Sequence, residues 1–230
     1  MTTTVSLSVL SAQLVLVTAM LAGCVSPEPR YYTLSQRPII AATAAPAAKQ
    51  GQEPVLIEVS PVRVPDRLNR ANLLLNRGDS RLKVMEQDRW SAPFPDELRD
   101  ALSQHLQASL NAVDIYHQGT SGNAPLYRVT VEVVRMDAEL GGRADAIINW
   151  TVQRLPDSKV TSGRTQVELP TPGGLDSVVA AYQHIVIAAA ADIATAIRTS
   201  QKISLISSET GNSLTRYNQY HVFPEKQEIS

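Results

Sequence analysis

The chain has 230 residues, 43% of them hydrophobic, which is enough to bury the core of one domain of about 150 to 170 residues with extensions, or of two small domains. Its 21 basic and 22 acidic residues leave a formal net charge of -1, whereas nucleic-acid-binding proteins carry a basic face. A single cysteine excludes an internal disulfide, and four scattered histidines disfavour a transition-metal site. We therefore expect no metal, no cofactor and no nucleic-acid partner.

The first 23 residues have the pattern of a secretory signal peptide. Residues 5–22 are uncharged, and their apolar centre is shorter than the roughly 20 residues that a membrane-spanning helix needs. Leu21-Ala22-Gly23-Cys24 follows and resembles the bacterial lipobox, although no Lys or Arg precedes Arg30. The resemblance implies cleavage between Gly23 and Cys24 and a mature Cys24 that carries N-palmitoyl and S-diacylglycerol groups. The alternatives for Cys24 are a buried thiol and a free thiol.

A lipidated Cys24 predicts a membrane-attached protein, because two or more acyl chains anchor a chain stably. Val25 stands where an aspartate would resemble an inner-membrane retention signal, which favours the periplasmic leaflet of the outer membrane of a Gram-negative bacterium. We interpret residues 24–54 as the lipidated N-terminus, a first short strand at 31–34 and an Ala/Pro-rich flexible segment. As a flexible coil, such a spacer of about 30 residues spans roughly 30 Å.

Residues 55–200 are predicted to form the folded domain. Alternating apolar side chains predict an extended run over 55–64. Two further runs, 73–76 and 82–86, lie on either side of Arg77-Gly78-Asp79-Ser80 and predict a β-hairpin.

A first helix is predicted from Pro95 to Asn111. Proline suits a first helical turn, and the leucines that follow recur with helical spacing. Asp96, Glu97 and Asp100 cluster at its start, and we interpret them as solvated partners of the positive helix end rather than as catalytic carboxylates.

The second half of the domain predicts a three-stranded meander. After a short strand at 113–116, the alternating runs 127–133 and 144–152 flank Gly141-Gly142, which is a strong turn signal. A more polar third strand spans 159–169.

A long helix with one apolar face is predicted over 173–199, and residues 201–230 are predicted to form a polar, mostly disordered tail. Two main amphipathic helices and a largely antiparallel or mixed sheet together predict a two-layer α+β fold.

No motif of a serine hydrolase, a zinc protease, a phosphate-binding loop or a dinucleotide-binding fold is present. His105 and His184 fall beside predicted apolar helix faces, and we interpret them as boundary or surface residues. Trp90 and Trp150 are interpreted as core anchors. We therefore predict that the protein is not an enzyme; an envelope hydrolase is the least supported alternative.

Several short motifs occur in a characteristic order behind the lipobox. They are Tyr31-Tyr32-x-Leu34, Val62-x-Val64-Pro65-Asp66-x-Leu68 and Arg89-Trp90-Ser91-Ala92-Pro93, followed by the leucine-rich helix. With the late hairpin and the long Ala-rich helix, this order over about residues 21–200 resembles the ABC-type transport auxiliary lipoproteins, the PqiC/YmbA-like family.

The resemblance implies a non-enzymatic lipoprotein that works with a mammalian-cell-entry (MCE) domain protein and an inner-membrane transporter. Together these proteins move lipids between the inner and outer membranes. The resemblance also implies ring-like homo-oligomers. The alternative is an envelope lipoprotein that assembles or stabilises another complex, of the secretion or pilus type.

The loop 66–90 is the predicted partner-binding surface. Leu73 and Leu75 are exposed there if residues 70–76 form an edge strand, and Trp90 ends the same region. The alternative is that Leu73 and Leu75 point into the core.

Overall fold

The structure is a computed structural model that describes residues 27–35, 54–78, 80–116 and 125–219, with side chains as far as residue 203. Gly23 and Cys24 lie outside the described residues. The elements in chain order are β1 (Arg30–Tyr32), β2 (Val55–Val59), a 3-10 turn (Asp66–Leu68), β3 (Asn72–Asn76), β4 (Leu82–Trp90), α1 (Phe94–Leu110), β5 (Ala112–Asp114), β6 (Leu126–Ala138), β7 (Arg143–Leu155), β8 (Lys159–Pro170) and α2 (Leu175–Gln219).

The larger sheet has five strands in the order β5-β2-β6-β7-β8. Strands β6, β7 and β8 pair antiparallel and confirm the predicted meander. The turn between β6 and β7 uses Gly141 at a φ of 71°, a backbone conformation that glycine adopts without a clash of Cβ. Strand β2 is parallel to both β5 and β6, so the sheet is mixed.

The smaller sheet has three strands in the order β1-β4-β3. Strands β3 and β4 form the predicted antiparallel hairpin, and β4 runs to Trp90, beyond its predicted end at Glu86. Strand β1 lies parallel to β4, with Arg30 opposite Asp88.

The two helices pack on one face of the larger sheet and on each other. The side chains predicted to face inward from β6 and β7 are all buried: Tyr127, Val129, Val131, Val133, Ala144, Ala146, Ile148, Trp150 and Val152. Asn111 ends α1 in the left-handed conformation, as its position after the last leucine predicted. The two-layer α+β fold is confirmed.

The first part of α2, Leu175–Ile203, is long and apolar enough to cross a membrane by length and composition. Ile185, Ile193 and Ile197 in this part are nevertheless fully buried in the core of the domain. Their contacts with the sheet make α2 the central helix of the fold.

Helix α2 is described as far as Gln219, well beyond its predicted end at Thr199. The prediction of a disordered tail from residue 201 is thus wrong for the backbone of 201–219. A helix that is already nucleated and packed extends through polar residues at little cost where no proline interrupts it. Residues 220–230 lie outside the described part of the chain.

Candidate functional site

A buried carboxylate fastens the N-terminal strand to the domain. Glu97 lies in the first turn of α1 and is only 5% exposed. Its Oε2 accepts hydrogen bonds from the Leu34 N–H and the Thr33 hydroxyl, each at 2.9 Å, and its Oε1 accepts one from the Ser91 hydroxyl. The prediction that Glu97 is solvated is therefore wrong. The Thr33 hydroxyl, the Leu34 N–H and the Ser91 hydroxyl take the place of water as hydrogen-bond donors to the carboxylate. These three bonds compensate for the loss of hydration on burial.

Strand β1 is consequently part of the folded domain. Leu34 is fully buried, and residues 30–32 pair with β4. Arg30 is the sixth residue after Cys24, so a fully extended chain between them reaches at most about 20 Å. The predicted spacer of residues 24–54 is thereby corrected: only the residues before Arg30 separate Cys24 from the sheet. Residues 36–53, the Ala/Pro-rich segment, lie outside the described residues.

The three residues predicted to bind a partner are buried. Leu73 and Leu75 are each 2% exposed and Trp90 is 4% exposed, so both leucines point into the core, as in the alternative interpretation. The Trp90 ring lies 5.2 Å from that of Phe94 and 6.0 Å from that of Tyr182, centroid to centroid. Direct contact of these side chains with a partner requires them to leave the core, where their apolar contacts hold the two sheets and α2 together.

A groove of about 660 Å³ lies between β8 and the part of α2 from Asp192 to Ile203. Trp150 of β7 lines it and lies against Gly163 of β8, where a Cβ atom would stand 2.1 Å from the indole. The Trp150 Nε1–H donates to the Thr165 hydroxyl oxygen at 3.2 Å, and that hydroxyl donates to the Asp192 carboxylate at 2.6 Å. This chain of bonds ties β7, β8 and α2 together beneath the groove.

No pattern in the predicted elements indicated this groove. An isolated glycine inside a strand is a known signal of a close approach, and Gly163 is such a residue. The groove itself forms only when Trp150 and Gly163 become neighbours in adjacent strands.

The groove is open along a sheet edge. Strand β8 is the last strand of the larger sheet, and within the described ranges no backbone hydrogen bond joins its outer edge to another segment. Lys159 and Arg164 line the groove, Lys159 at 3.9 Å from Asp157 and Arg164 donating to the neutral Asn149 at 2.9 Å. The acid of the groove, Asp192, is bonded to Thr165. Val160 beside Lys159 is 60% exposed. An open strand edge beside a groove suits the addition of an extended segment, and the charges favour an acidic one.

A second buried carboxylate joins β5 to α1. One oxygen of Asp114 accepts hydrogen bonds from the Arg99 guanidinium at 2.7 Å and from the Ser103 hydroxyl at 2.6 Å. The other accepts from the N–H groups of Tyr116 and Val59. Both oxygens of the Asp114 carboxylate thus accept hydrogen bonds from within the domain, and we interpret its role as structural, linking β5 to α1.

The two histidines within the described ranges, His105 and His184, do not form a site. His105 is half-buried, and this desolvation lowers its pKa below the ordinary 6.5, whereas His184 is exposed. His117 and His221 lie outside the described residues. Among the described residues, no group of three or more His, Cys, Asp or Glu side chains is placed to hold a metal ion.

Comparisons with known proteins define the class of this protein. The sequence profile described as the ABC-type transport auxiliary lipoprotein component matches residues 32–194, from β1 to the middle of α2. The class is therefore that of auxiliary lipoproteins of transport systems. The chain belongs to the ABC-type transport auxiliary lipoprotein family, as the motifs around Trp90 predicted.

Two crystal structures share the fold. One, of an uncharacterized protein, is 19% identical, has a TM-score of 0.56 and covers 74% of this chain and 99% of its own. The other, of the DUF330 protein XCC0632 from Xanthomonas campestris, is 16% identical, has a TM-score of 0.53 and covers 78% of this chain and 98% of its own. A comparison with curated proteins gives no sequence match.

Proposed function

We propose that this protein is the lipid-anchored auxiliary component of an MCE-type, ABC-linked system that moves lipids between the inner and outer membranes. Family membership over residues 32–194 carries this proposal. In it, the chain is cleaved between Gly23 and Cys24, Cys24 receives N-palmitoyl and S-diacylglycerol groups, and the domain sits at the periplasmic leaflet of the outer membrane. Its role is that of an adaptor, without catalysis.

The polarity of the domain supports an adaptor role. Helix α2 passes the end of β1 in its third turn, where the Gln183 side chain donates a 3.0 Å hydrogen bond to the Thr33 carbonyl oxygen. From Gln183 to Gln219 the helix extends about 55 Å toward the far end of the domain. A tether at one end and a long helix leading away from it suit a protein that meets its partners at a distance from its own membrane.

The groove between β8 and α2 is the proposed partner site. It lies toward the far end, beside the turn that joins β7 to β8. We assign to it an extended, acidic segment of the MCE protein or of the inner-membrane transporter, which pairs with the edge of β8 and faces Lys159 and Arg164. The side chains here support binding rather than catalysis, because Asp192 is bonded to Thr165 and no nucleophile and base are paired among the residues that line the groove.

The anchor is tested by comparing the native protein with Cys24→Ala. We expect the native protein in the membrane fraction, with an intact mass that shows an acylated Cys24, and the variant in the soluble fraction with lost lipid transport. Normal transport by the soluble variant would show that the tether is not needed.

The partner site is tested by photo-crosslinking in cells. A photoreactive residue replaces Val160 at the groove or, as the matched control, Val134, which is 46% exposed on β6. Crosslinks to an MCE protein or to the transporter that form from position 160 and not from position 134 support the proposal. Crosslinks to components of a secretion or pilus complex would support the alternative function instead. The proposal also includes the ring-like homo-oligomer that the family resemblance implies, and the mass of the lipidated protein in detergent tests it.

A further inference from the structure

Two hairpin tips lie side by side at one end of the domain. The β3–β4 hairpin closes with a 3.0 Å hydrogen bond from the Arg77 N–H to the Arg81 carbonyl oxygen. The β6–β7 hairpin closes with one of 2.9 Å from the Glu139 N–H to the Arg143 carbonyl oxygen. A Cβ atom added to Gly78 would stand only 3.2 Å from the Glu139 carboxylate, so the two turns are in contact. We name them together the hairpin tips.

Each hairpin tip carries an exposed leucine. Leu82 is 46% exposed and Leu140 is 43% exposed, although leucine is usually buried. Leu82 is flanked in the sequence by Arg81 and Lys83, which are both exposed. Apolar side chains among cations are typical of segments that enter the interface of a phospholipid bilayer.

Acidic residues reduce this positive charge without cancelling it on the β3–β4 hairpin. Arg77, Arg81 and Lys83 share that tip with Asp79, which lies outside the described residues. Glu139 of the β6–β7 tip faces the β3–β4 turn at Gly78, and Arg143 pairs with Glu168 at 3.4 Å. By sequence, the three cations of the β3–β4 tip stand against Asp79 and this shared Glu139, so the charge balance there remains positive.

The register of β1 directs the chain toward these tips. Arg30 lies opposite Asp88, and the two strands are parallel. Because β1 runs parallel to β4, the chain enters β1 from the side on which Leu82 begins β4, and Cys24 precedes Arg30 by six residues in the sequence. Pro27 and Pro29 favour an extended backbone in this segment.

The outer face of the larger sheet is mainly polar along β6: Thr130, Glu132 and Arg135 are exposed there together with one apolar residue, Val134, which is 46% exposed. The cation beside Val134, Arg135, is paired with Asp145. The apolar face of α2 is buried in the core. Within the described residues near the tether, the hairpin tips combine exposed leucines with cations.

We infer that the hairpin tips contact the bilayer: Leu82 and Leu140 enter its headgroup region, and Arg77, Arg81 and Lys83 face anionic phospholipids. This inference rests on the proposed acylation of Cys24, which brings the bilayer within reach. Three attachment points of this kind, the acyl anchor and two tips, fix the orientation of the domain. The groove between β8 and α2 then faces away from the membrane.

The test uses the lipidated full-length protein, purified in detergent and reconstituted into vesicles of phosphatidylethanolamine with phosphatidylglycerol. Single variants Leu82→Cys, Leu140→Cys and, as the far-end control, Val160→Cys receive a polarity-sensitive fluorophore. All three native side chains are exposed, so the fold tolerates the changes, which circular dichroism verifies. Acylation blocks Cys24, so the parent protein without an added cysteine takes up no label.

We expect headgroup-quencher lipids to quench the labels at 82 and 140 at least about threefold more than the label at 160, and we expect vesicles without phosphatidylglycerol to reduce this difference. Equal quenching at all three positions, or none at 82 and 140, overturns the inference while an acylated Cys24 leaves the anchor intact. An unchanged difference without anionic lipid overturns the role of the cations. Labelling of the parent at Cys24 means instead that the proposed acylation has failed.

Discussion

The N–H of Leu34 donates a 2.9 Å hydrogen bond to the Glu97 carboxylate, joining residues that are 63 positions apart. Together with the pairing of β1 and β4 and the burial of Leu34, this bond holds the strand after Cys24 against the start of α1. These contacts place Arg30 in the sheet and limit the distance from the proposed lipid anchor at Cys24 to about 20 Å, in place of the long spacer that the sequence predicted.

Replacement of Glu97 by alanine is expected to lower the free energy of unfolding by about 2–4 kcal/mol, because a buried N–H and two hydroxyls lose their acceptor. Glu97→Gln is expected to lose less, since its amide oxygen still accepts from Leu34. Asp96→Ala, an exposed acid in the same helical turn, is the control. Urea unfolding of the three variants measures the difference, and an equal effect of Glu97→Ala and Asp96→Ala would refute the role of the buried carboxylate.

The two acids that pair with Arg99 are expected to differ in their contribution to stability. Asp114 is 6% exposed and Asp100 is 59% exposed at the side chain. Asp114→Ala leaves a largely buried guanidinium without its main partner, so we expect a loss of about 3 kcal/mol in urea unfolding. Asp100→Ala is expected to change stability by less than about 0.5 kcal/mol. Similar losses for both variants contradict the assignment of Asp114 as the structural partner.

Gly163→Ala tests the packing beneath the groove. The new methyl carbon would meet the Trp150 indole at 2.1 Å, and the ring is held by its bond to Thr165. We expect a loss of about 2–3 kcal/mol, measured as a lower melting temperature. Gly174→Ala is the matched control, because no atom lies within 4 Å of a Cβ there. A melting temperature unchanged by Gly163→Ala would show that Trp150 does not lie against this glycine.

His105 is expected to make the protein less stable in mild acid. Desolvation lowers its pKa in the folded state below the 6.5 of the unfolded chain, so the unfolded state binds a proton more readily. The stability is therefore complete above the unfolded pKa and falls as the pH falls through the folded pKa. Urea unfolding at about pH 8 and about pH 5 should show a smaller pH effect for His105→Gln than for the native protein. The exposed His184→Gln is the control; an identical pH effect in both variants would exclude His105 as the cause.

Local patterns predicted much of the fold. The alternation along β6 and β7 identified the inward side chains, and Gly141-Gly142 identified the turn between them, because strand faces and tight turns depend on neighbouring residues. The motifs around Trp90 identified the family. Asn111 likewise marked the end of α1, since few residues adopt the left-handed conformation there.

The candidate site was largely invisible in the sequence, because its contacts join distant segments. Nothing near Glu97 indicates that Thr33 and Leu34 will bond to it, and nothing near Gly163 indicates that Trp150 will lie against it. The sequence of a strand does not show which strands will pair with it or which of its faces will be covered. Leu73 and Leu75 could therefore be interpreted either as exposed on an edge strand or as buried in the core.

The sequence by itself determined the fold class, the family and the lipobox-like segment at Cys24, since each is encoded in short runs of residues. Only the tertiary structure decided where the domain begins, which side chains are buried and which ends of the strands meet. Parallel pairing of β1 with β4 depends on burial of Leu34 and on the Glu97 carboxylate, and these long-range contacts turn an apparent spacer into a short tether.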